Sequence, residues 1–301
     1  YVGELCRYLV NHPAKPNDRD HTLRCIFGAG MRKDVWLQFR ERFGNVRIIE
    51  TWGGTETNCS LQNYDGPIGS CGRIAFWEKT NARLVRYDVE TDSYPRDANG
   101  SCILCKPGEV GELLGMILDI PDNPAGRFDG YTSKAQSEAR VLRDVFQKGD
   151  RWYRTGDMFR YDEDGYFWFV DRIGDTFRWK SENVSTSEVA QALEPFTGLE
   201  TITVYGVSVA GHEGRAGMAA IVMQPGQRFD PAAFHALARQ NLPGYAVPLF
   251  VRLLPAADIT ATLKLRKVDL QKLGYASAGS DDVWVADPGA QTYVPASEEN
   301  L

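Results

Sequence analysis

The sequence predicts an α/β domain followed by a smaller α+β unit, and two observations carry that expectation. In the first part, short apolar runs that read as strands alternate with a segment of helical spacing and are punctuated by glycine pairs, the pattern of an α/β layer. Near residue 170 the chain turns polar at Asp171-Arg172-Ile173-Gly174-Asp175, directly after the aromatic run Tyr166-Phe167-Trp168-Phe169-Val170. Such a change in character is where one core ends and the next begins. The expected division is therefore 1–173 and 174–301, with Gly174 and Asp175 as the hinge.

Each element has its own signal. Thr22 to Phe27 reads as a strand that ends in the tight turn Gly28-Ala29-Gly30, and Asp34-Val35-Trp36-Leu37-Gln38-Phe39 has helical spacing. Val46 to Glu50 is expected to be a second strand that runs into a turn at Gly53-Gly54. From Ile74 to Gly115 short β-rich runs lie between Asp, Asn, Pro and Gly, which suggests a small β-subdomain serving as structural filler. Past the break, Ser185-x-x-Glu188 is a capping box, in which side chains satisfy the free amides of a helix start, and the helix should run to about Leu193. Strands are expected near Thr201–Val209, Met218–Val222 and Val247–Leu254, with a helix from Pro231 to Leu242.

Bulk properties exclude several classes. With 301 residues, 43% of them hydrophobic and 25% charged, the chain can bury two ordinary globular cores. A net charge of −6 supplies no basic footprint for phosphate backbones, so nucleic acid is not an expected partner. No window approaches the roughly 18 to 20 apolar residues that cross a bilayer. The start, Tyr1-Val2-Gly3-Glu4, has no initiator Met, and the chain reads as cut from something longer. Six cysteines are too sparse for a disulfide framework and suggest a reducing compartment. Cys102 and Cys105 form one CxxC, but no second pair or histidine stands at zinc-ligand spacing from it. Asn58-Cys59-Ser60 formally matches a glycosylation acceptor, a pattern frequent by chance.

Tyr153-Arg154-Thr155-Gly156-Asp157 alone could be a simple turn, its Gly bending the chain and its Asp capping the bend. The pentapeptide gains meaning from its downstream company: Asp171-Arg172, then Arg178-Trp179-Lys180, and much later Thr260-Ala261-Thr262-Leu263-Lys264. In this order and spacing the chain resembles the adenylate-forming superfamily of acyl-CoA synthetases, luciferases and peptide-synthetase adenylation domains. Within it the sequence resembles most the fatty acid transport protein / very-long-chain acyl-CoA synthetase family. Three stretches carry that likeness: Tyr1 to Leu9, Asp171 to Val189 including Asp175-Thr176-Phe177-Arg178-Trp179-Lys180, and Val204 to Val207 running on to Glu213-Gly214-Arg215-Ala216-Gly217-Met218-Ala219-Ala220.

The resemblance implies a fold and a chemistry. Residues 1–173 would be the carboxyl-terminal part of a large AMP-binding domain, and 174–301 a small mobile domain. The reaction would be attack of a fatty acid carboxylate on the α-phosphate of ATP, with Mg²⁺, followed by transfer of the acyl group to coenzyme A. Asp157 stands where the family holds the ribose hydroxyls with a fixed carboxylate, and Arg172 would reach ribose or phosphate with a multiple donor. Glu50-Thr51-Trp52-Gly53-Gly54-Thr55-Glu56-Thr57-Asn58 matches the aromatic-Gly-small-Thr-Glu stretch, with Trp52 in place of the more usual Tyr and still able to stack on adenine. Gly53 and Gly54 would let the backbone approach the acyl carbonyl, Thr55 would meet the α-phosphate, and Glu56 would ligate Mg²⁺. Gly28, Ala29 and Gly30 match the turn against which adenine lies, and could equally be a steric strand-to-helix turn. Lys264 matches the catalytic Lys that bridges carboxylate and α-phosphate, although Arg266 and Lys267 beside it also suit a solvated basic face. The family's Lys-Gly-Glu-Asn stands here as Lys180-Ser181-Glu182-Asn183.

The superfamily's Ser/Thr/Gly-rich phosphate loop ending in Lys has no counterpart in the 301 residues. In the family it lies upstream of the segment with which this chain begins, together with any amino-terminal membrane anchor, so truncation is the expectation and adenylation by this piece alone is not. The resemblance places the whole protein at the endoplasmic reticulum, peroxisome or plasma membrane, with catalysis on the cytosolic side. Two rival expectations are adenylation of another carboxylic acid for a carrier protein, and a non-catalytic lipid-handling module.

Overall fold

A computed structural model of the protein describes residues 1–121, 126–255, 267–275 and 282–297. The chain divides into two units, Tyr1–Val170 and Asp171–Leu301, the cut falling at the end of the aromatic run.

In the first unit, helices α1 (Gly3–Asn11) and α2 (Lys33–Phe43) accompany a three-stranded sheet of β1 (Cys25–Ala29), β2 (Arg47–Trp52) and β3 (Leu61–Asn63), in that order. Val35, Trp36 and Phe39 recur at helical spacing and bury one face of α2 against Cys6, Met31, Val46 and Ile48. The helix ends at Gly44, whose φ of 87° a residue with a side chain would resist. β1 is displaced from the expected Thr22–Phe27. Leu23 is half exposed and outside the sheet, whereas Gly28 and Ala29 pair in parallel with Glu50 and Thr51, so the turn begins only at Gly30. The reason lies in a neighbour distant in sequence: a Cβ on Gly28 would sit 2.0 Å from the carbonyl oxygen of Tyr1, so only glycine lets Val2 pair beside Ala29.

The remaining strands of this unit are β4 (Gly72–Arg73), β5 (Ala82–Arg86), β6 (Gly111–Met116), β7 (Val141–Arg143), β8 (Arg151–Tyr161) and β9 (Tyr166–Arg172). They form one sheet in the order β4-β9-β8-β6-β5, with β7 on β8, and the short α3 (Lys134–Ala139) precedes β7. The stretch expected as a separate β-subdomain is thus corrected. β5 and β6 are strands of the same sheet as β8, and Leu84, Leu113, Phe159 and Phe167 share one core.

The second unit opens with the hairpin β10 (Phe177–Trp179) and β11 (Glu182–Val184). Its sheet has the order β12 (Leu199–Val207), β13 (Ala216–Met223), β14 (Phe250–Leu253), β15 (Asp282–Asp287), β16 (Thr292–Pro295), and α4 (Thr186–Leu193), α5 (Pro231–Asn241) and α6 (Lys267–Leu273) complete it. β13 is buried along nearly its whole length, which accounts for its run of small apolar residues. The expected capping signal is met, since Ser185 Oγ accepts from the Glu188 amide at 3.2 Å, and at α5 Asp230 accepts from the amides of Ala232 and Ala233. Among the described residues no helix is long and apolar enough to cross a membrane.

Candidate nucleotide site

Asp157 sits on β8 within an irregularity in the β6–β8 register, which passes from Glu112 opposite Met158 to Leu114 opposite Arg154. The irregularity frees Thr155 and Gly156 from the ladder, and other groups take up their polar atoms. Thr155 Oγ1 donates to the Leu113 carbonyl at 2.6 Å, and the Gly156 amide donates to Glu112 Oε1 at 2.9 Å. Glu112 is fully buried; burial pushes its carboxyl above the usual range against the hydrogen bonds from Tyr94 and Gly156 and the positive charge of Arg154. Asp157 is therefore carried on a backbone fixed from below by an interior carboxylate.

Its side chain is fixed from another sheet. Trp52, the last residue of β2, donates its indole Nε1–H to Asp157 Oδ2 at 2.7 Å, across 105 positions of sequence. The Trp52 ring meets Phe159 edge-on, with centroids 5.1 Å apart and planes at 81°. Two motifs that the sequence presents far apart are brought into direct contact.

Beyond Trp52 the chain forms a loop whose Gly54 amide donates to Thr57 Oγ1 at 2.7 Å, while Thr57 Oγ1 donates back to the Gly54 carbonyl at 2.9 Å. Gly53, Gly54, Thr55 and Glu56 are exposed on this loop. A cleft of about 610 Å³ opens here, lined by Phe27, Thr51, Trp52, Gly53, Gly54 and Thr55 among others, within the size range of small-molecule sites. Asn58 anchors the far end of the loop: its Nδ2 donates to the carbonyls of Gly115, Met116 and Gly126 at 3.2, 3.0 and 3.1 Å. The nitrogen that a glycan would need is engaged by backbone.

The turn at Gly30 rests on a second interior carboxylate. Glu50, 3% exposed, accepts from the amides of Gly30 and Met31 and from the Tyr1 hydroxyl. Burial raises its pKa to about 7, with these hydrogen bonds pulling the other way. Thr51 Oγ1 donates to the Gly28 carbonyl at 3.0 Å, so Gly28, Ala29 and Gly30 are held along the edge of β2 that leads to Trp52.

The other expected residues lie in the second unit. Arg172 is exposed, and its carbonyl accepts from the amides of Asp175 and Thr176. Gly174 has a φ of 94° with nothing near its missing side chain. Asp175 pairs with Lys267 at 3.0 Å, and Lys267 also donates to Thr186 Oγ1 at 2.9 Å, so this lysine is tied to the start of α4. Asp171, 1% exposed, gathers the Thr186 amide at 2.6 Å and the hydroxyls of Thr176, Thr186 and Ser187. Lys180 and Ser181 form the two-residue turn of β10–β11 with φ of 52° and 66°. Lys264 lies outside the described residues, as does the rest of Thr260 to Arg266.

Sequence reasoning misses Glu50 as a site residue and Glu112 altogether. Glu112 lies in the stretch read as filler, and its one signal is a Glu inside the apolar run Val110 to Met116. Among the described residues no cluster of three or more His, Cys, Asp or Glu could hold a metal ion. A Mg²⁺ ion bound with a nucleotide needs only one or two carboxylates plus phosphate oxygens, and exposed Glu56 beside the cleft suits that donor set. The six thiols are free, and burial pushes Cys59, Cys71 and Cys105 up to about 12.

Residues 1–114 match the family described as AMP-binding enzyme. In solved structures the fold is similar to ATP-bound MatB from Rhodopseudomonas palustris, with a TM-score of 0.69 and 20% identity over 90% of this chain and 49% of that one. It is also similar to O-succinylbenzoate coenzyme A synthetase from Bacillus subtilis in complex with ATP and magnesium ion, with a TM-score of 0.64, 20% identity, and 90% and 50% coverage. The fold is therefore that of the adenylate-forming enzymes. The sequence is 44% identical to long-chain fatty acid transport protein 2 of Rattus norvegicus over 99% of this chain and 48% of that protein. It is 43% identical to long-chain fatty acid transport protein 1 of Homo sapiens over 99% and 46%. Over nearly its whole length the chain is similar to the long-chain fatty acid transport proteins, and over residues 1–114 to the AMP-binding enzymes, as the motifs of its sequence led one to expect. It spans about half the length of the curated relatives it matches.

Proposed function

We propose that the protein carrying this chain activates long-chain fatty acids with ATP and Mg²⁺, forming an acyl-adenylate and then an acyl-CoA, and that this activation is coupled to fatty acid uptake. The observation that carries the reading is the hydrogen bond between Trp52, which lines the cleft, and the buried carboxylate of Asp157. Adenine stacks on Trp52 beside Gly28, Ala29 and Gly30, and Asp157 accepts the ribose hydroxyls. Gly53 and Gly54 admit the acyl carboxylate, Thr55 donates to the α-phosphate, and Glu56 takes the magnesium ion among the phosphate oxygens. Arg172 adds a fixed positive charge. Lys264 stabilises the negative charge that builds between carboxylate and phosphorus, and rotation about Gly174 and Asp175 withdraws it before coenzyme A attacks. Membrane attachment is assigned to the rest of the protein, at the endoplasmic reticulum, peroxisome or plasma membrane, with the catalytic part facing the cytosol.

The test uses the full-length polypeptide. Fatty-acid-dependent release of pyrophosphate from ATP, followed by acyl-CoA, is the expected result, and transfer to a carrier protein instead would redirect the reading. Asp157→Ala should weaken ATP binding by about 2 to 4 kcal/mol, the loss of two charge-assisted bonds from a dry site. Unchanged affinity in a direct titration would remove Asp157 from the nucleotide site. Lys264→Ala should slow adenylate formation by about 10² to 10³ and leave conversion of a supplied acyl-adenylate near normal. Equal loss in both steps would end the assignment of Lys264 to the first.

A further inference from the structure

We propose that Trp52 is a positioning residue for the ribose carboxylate: its indole N–H sets the orientation of Asp157, so that preference for a nucleotide with an intact ribose diol depends on Trp52 as well as on Asp157. The proposal rests on the assignment of Asp157 to the ribose made above.

The chemistry of the two aromatic side chains separates their roles. An indole carries its donor on the flank of the ring, which leaves the faces available for stacking, whereas a phenol carries its hydroxyl at the tip. The tryptophan that stands here in place of the more usual tyrosine therefore adds a lateral contact to Asp157 without giving up the face. That contact is 2.7 Å long and joins a neutral donor to a carboxylate, the stronger kind of hydrogen bond.

Packing fixes the ring independently of the hydrogen bond. Asp157 and Phe159 are two positions apart on β8, so the pleat sends both side chains to the same side. Trp52 meets both with one ring, edge-on against Phe159 and N–H toward Asp157. Phe159 is fully buried and backed by Phe167 and Phe169, at 6.3 and 5.6 Å between centroids. The indole is thus a rigid arm set by the core, and Asp157, only 8% exposed, lies at its end. A carboxylate offers about four lone-pair sites, of which the indole bond takes one.

The experiment titrates the full-length polypeptide, without fatty acid, with ATP and with 2′,3′-dideoxy-ATP. Asp157→Ala should abolish the preference for ATP; if the preference survives, the ribose assignment itself fails and this inference with it. Provided Asp157→Ala behaves so, Trp52→Phe should weaken ATP binding about ten-fold, the scale of one charge-assisted bond, and dideoxy-ATP binding by less than about two-fold. Because a smaller ring could also unsettle Phe159, a second variant carries β-(3-benzothienyl)alanine at position 52, which keeps the bicyclic shape and replaces N–H by sulfur. The same selective loss is expected. Equal weakening of both nucleotides in that variant would reduce Trp52 to a stacking surface, and tighter ATP binding would make the indole a competitor of the ribose; either result overturns the proposal.

Discussion

Two turns of the first unit stand on buried carboxylates, and a third, which lines the cleft, is closed by a hydroxyl and tied down by an amide side chain. The Gly30 turn rests on Glu50 and the Thr155–Asp157 turn on Glu112, each through backbone amides that donate to an interior oxygen. Among the described residues the Gly53–Thr57 loop has no buried carboxylate beneath it: Thr57 closes it onto Gly54, and Asn58 ties its far end to the carbonyls of Gly115, Met116 and Gly126. The contrast matches the proposed division of labour. The base and ribose are bound alike throughout a reaction and are served by fixed groups, whereas the phosphate region must accommodate changing charge and a departing pyrophosphate. A rigid frame at one end and a compliant loop at the other satisfy both demands.

Glu112→Ala gives the largest expected effect. It removes the acceptor of the half-buried Gly156 amide and of the Tyr94 hydroxyl, which then keeps only its bond from Arg154, and leaves a cavity where a fully buried side chain stood; the loss should cost about 3 to 5 kcal/mol by denaturant unfolding. Glu112→Gln, which keeps an acceptor oxygen, should cost about 1 kcal/mol. A loss below that for the alanine variant would remove the buried foundation from the comparison.

Glu50 sharpens the comparison through pH. Its pKa lies near 7 in the folded protein against an ordinary 4.5, so the folded state holds the proton more tightly than the unfolded chain does. Stability from this group is full below about 4.5 and falls as pH rises through 7, by up to about 3 kcal/mol. Glu50→Gln should flatten that part of the stability profile, measured from about pH 4.5 to about pH 8. An unchanged slope would mean that Glu50 titrates normally.

On the loop that lines the cleft, Thr57→Ala removes the two contacts to Gly54 from a partly exposed position and should lower stability by only about 0.5 to 1 kcal/mol. A loss as large as that of Glu112→Ala would erase the difference between the turns. The smallest effect concerns a turn outside the cleft. Ser181 holds a φ of 66°, where a Cβ is strained, and Ser181→Gly should raise the melting stability by about 0.5 kcal/mol once the added freedom of glycine in the unfolded chain is counted. A net loss would mean that the serine side chain makes a contact worth more than the strain.

How much the sequence conveys depends on the range of each interaction. Capping at Ser185, the helical stripe of α2 and the strand of β13 are set by neighbours a few residues away, and they are legible. The end of β1 is not, because the pairing of Gly28 depends on Tyr1. The place of β5 and β6 is equally hidden, because their sheet is completed by β8, which comes only after α3 and β7. At the site, the residue types at Trp52 and Asp157 are visible, but their mutual bond spans 105 positions and leaves no local trace. Glu112 is invisible for the same reason: a carboxylate within an apolar strand reads as an interruption until the amide it serves is seen.

Asp171 has a consequence for anyone who would exchange the second unit between relatives. Besides the amide of Arg172, its carboxylate accepts from the hydroxyl of Thr176 and, at the first turn of α4, from the Thr186 amide and the hydroxyls of Thr186 and Ser187, so it belongs to the piece that comes after it, although β9 runs on to Arg172. A chimera joined at Gly174, the proposed hinge, would set a foreign residue at position 171 against the second unit and leave those donors to an untested partner. A joint between Val170 and Asp171 keeps the seal with the module it closes, and places the graft where the hydrogen bonds, and not the bend, mark the border.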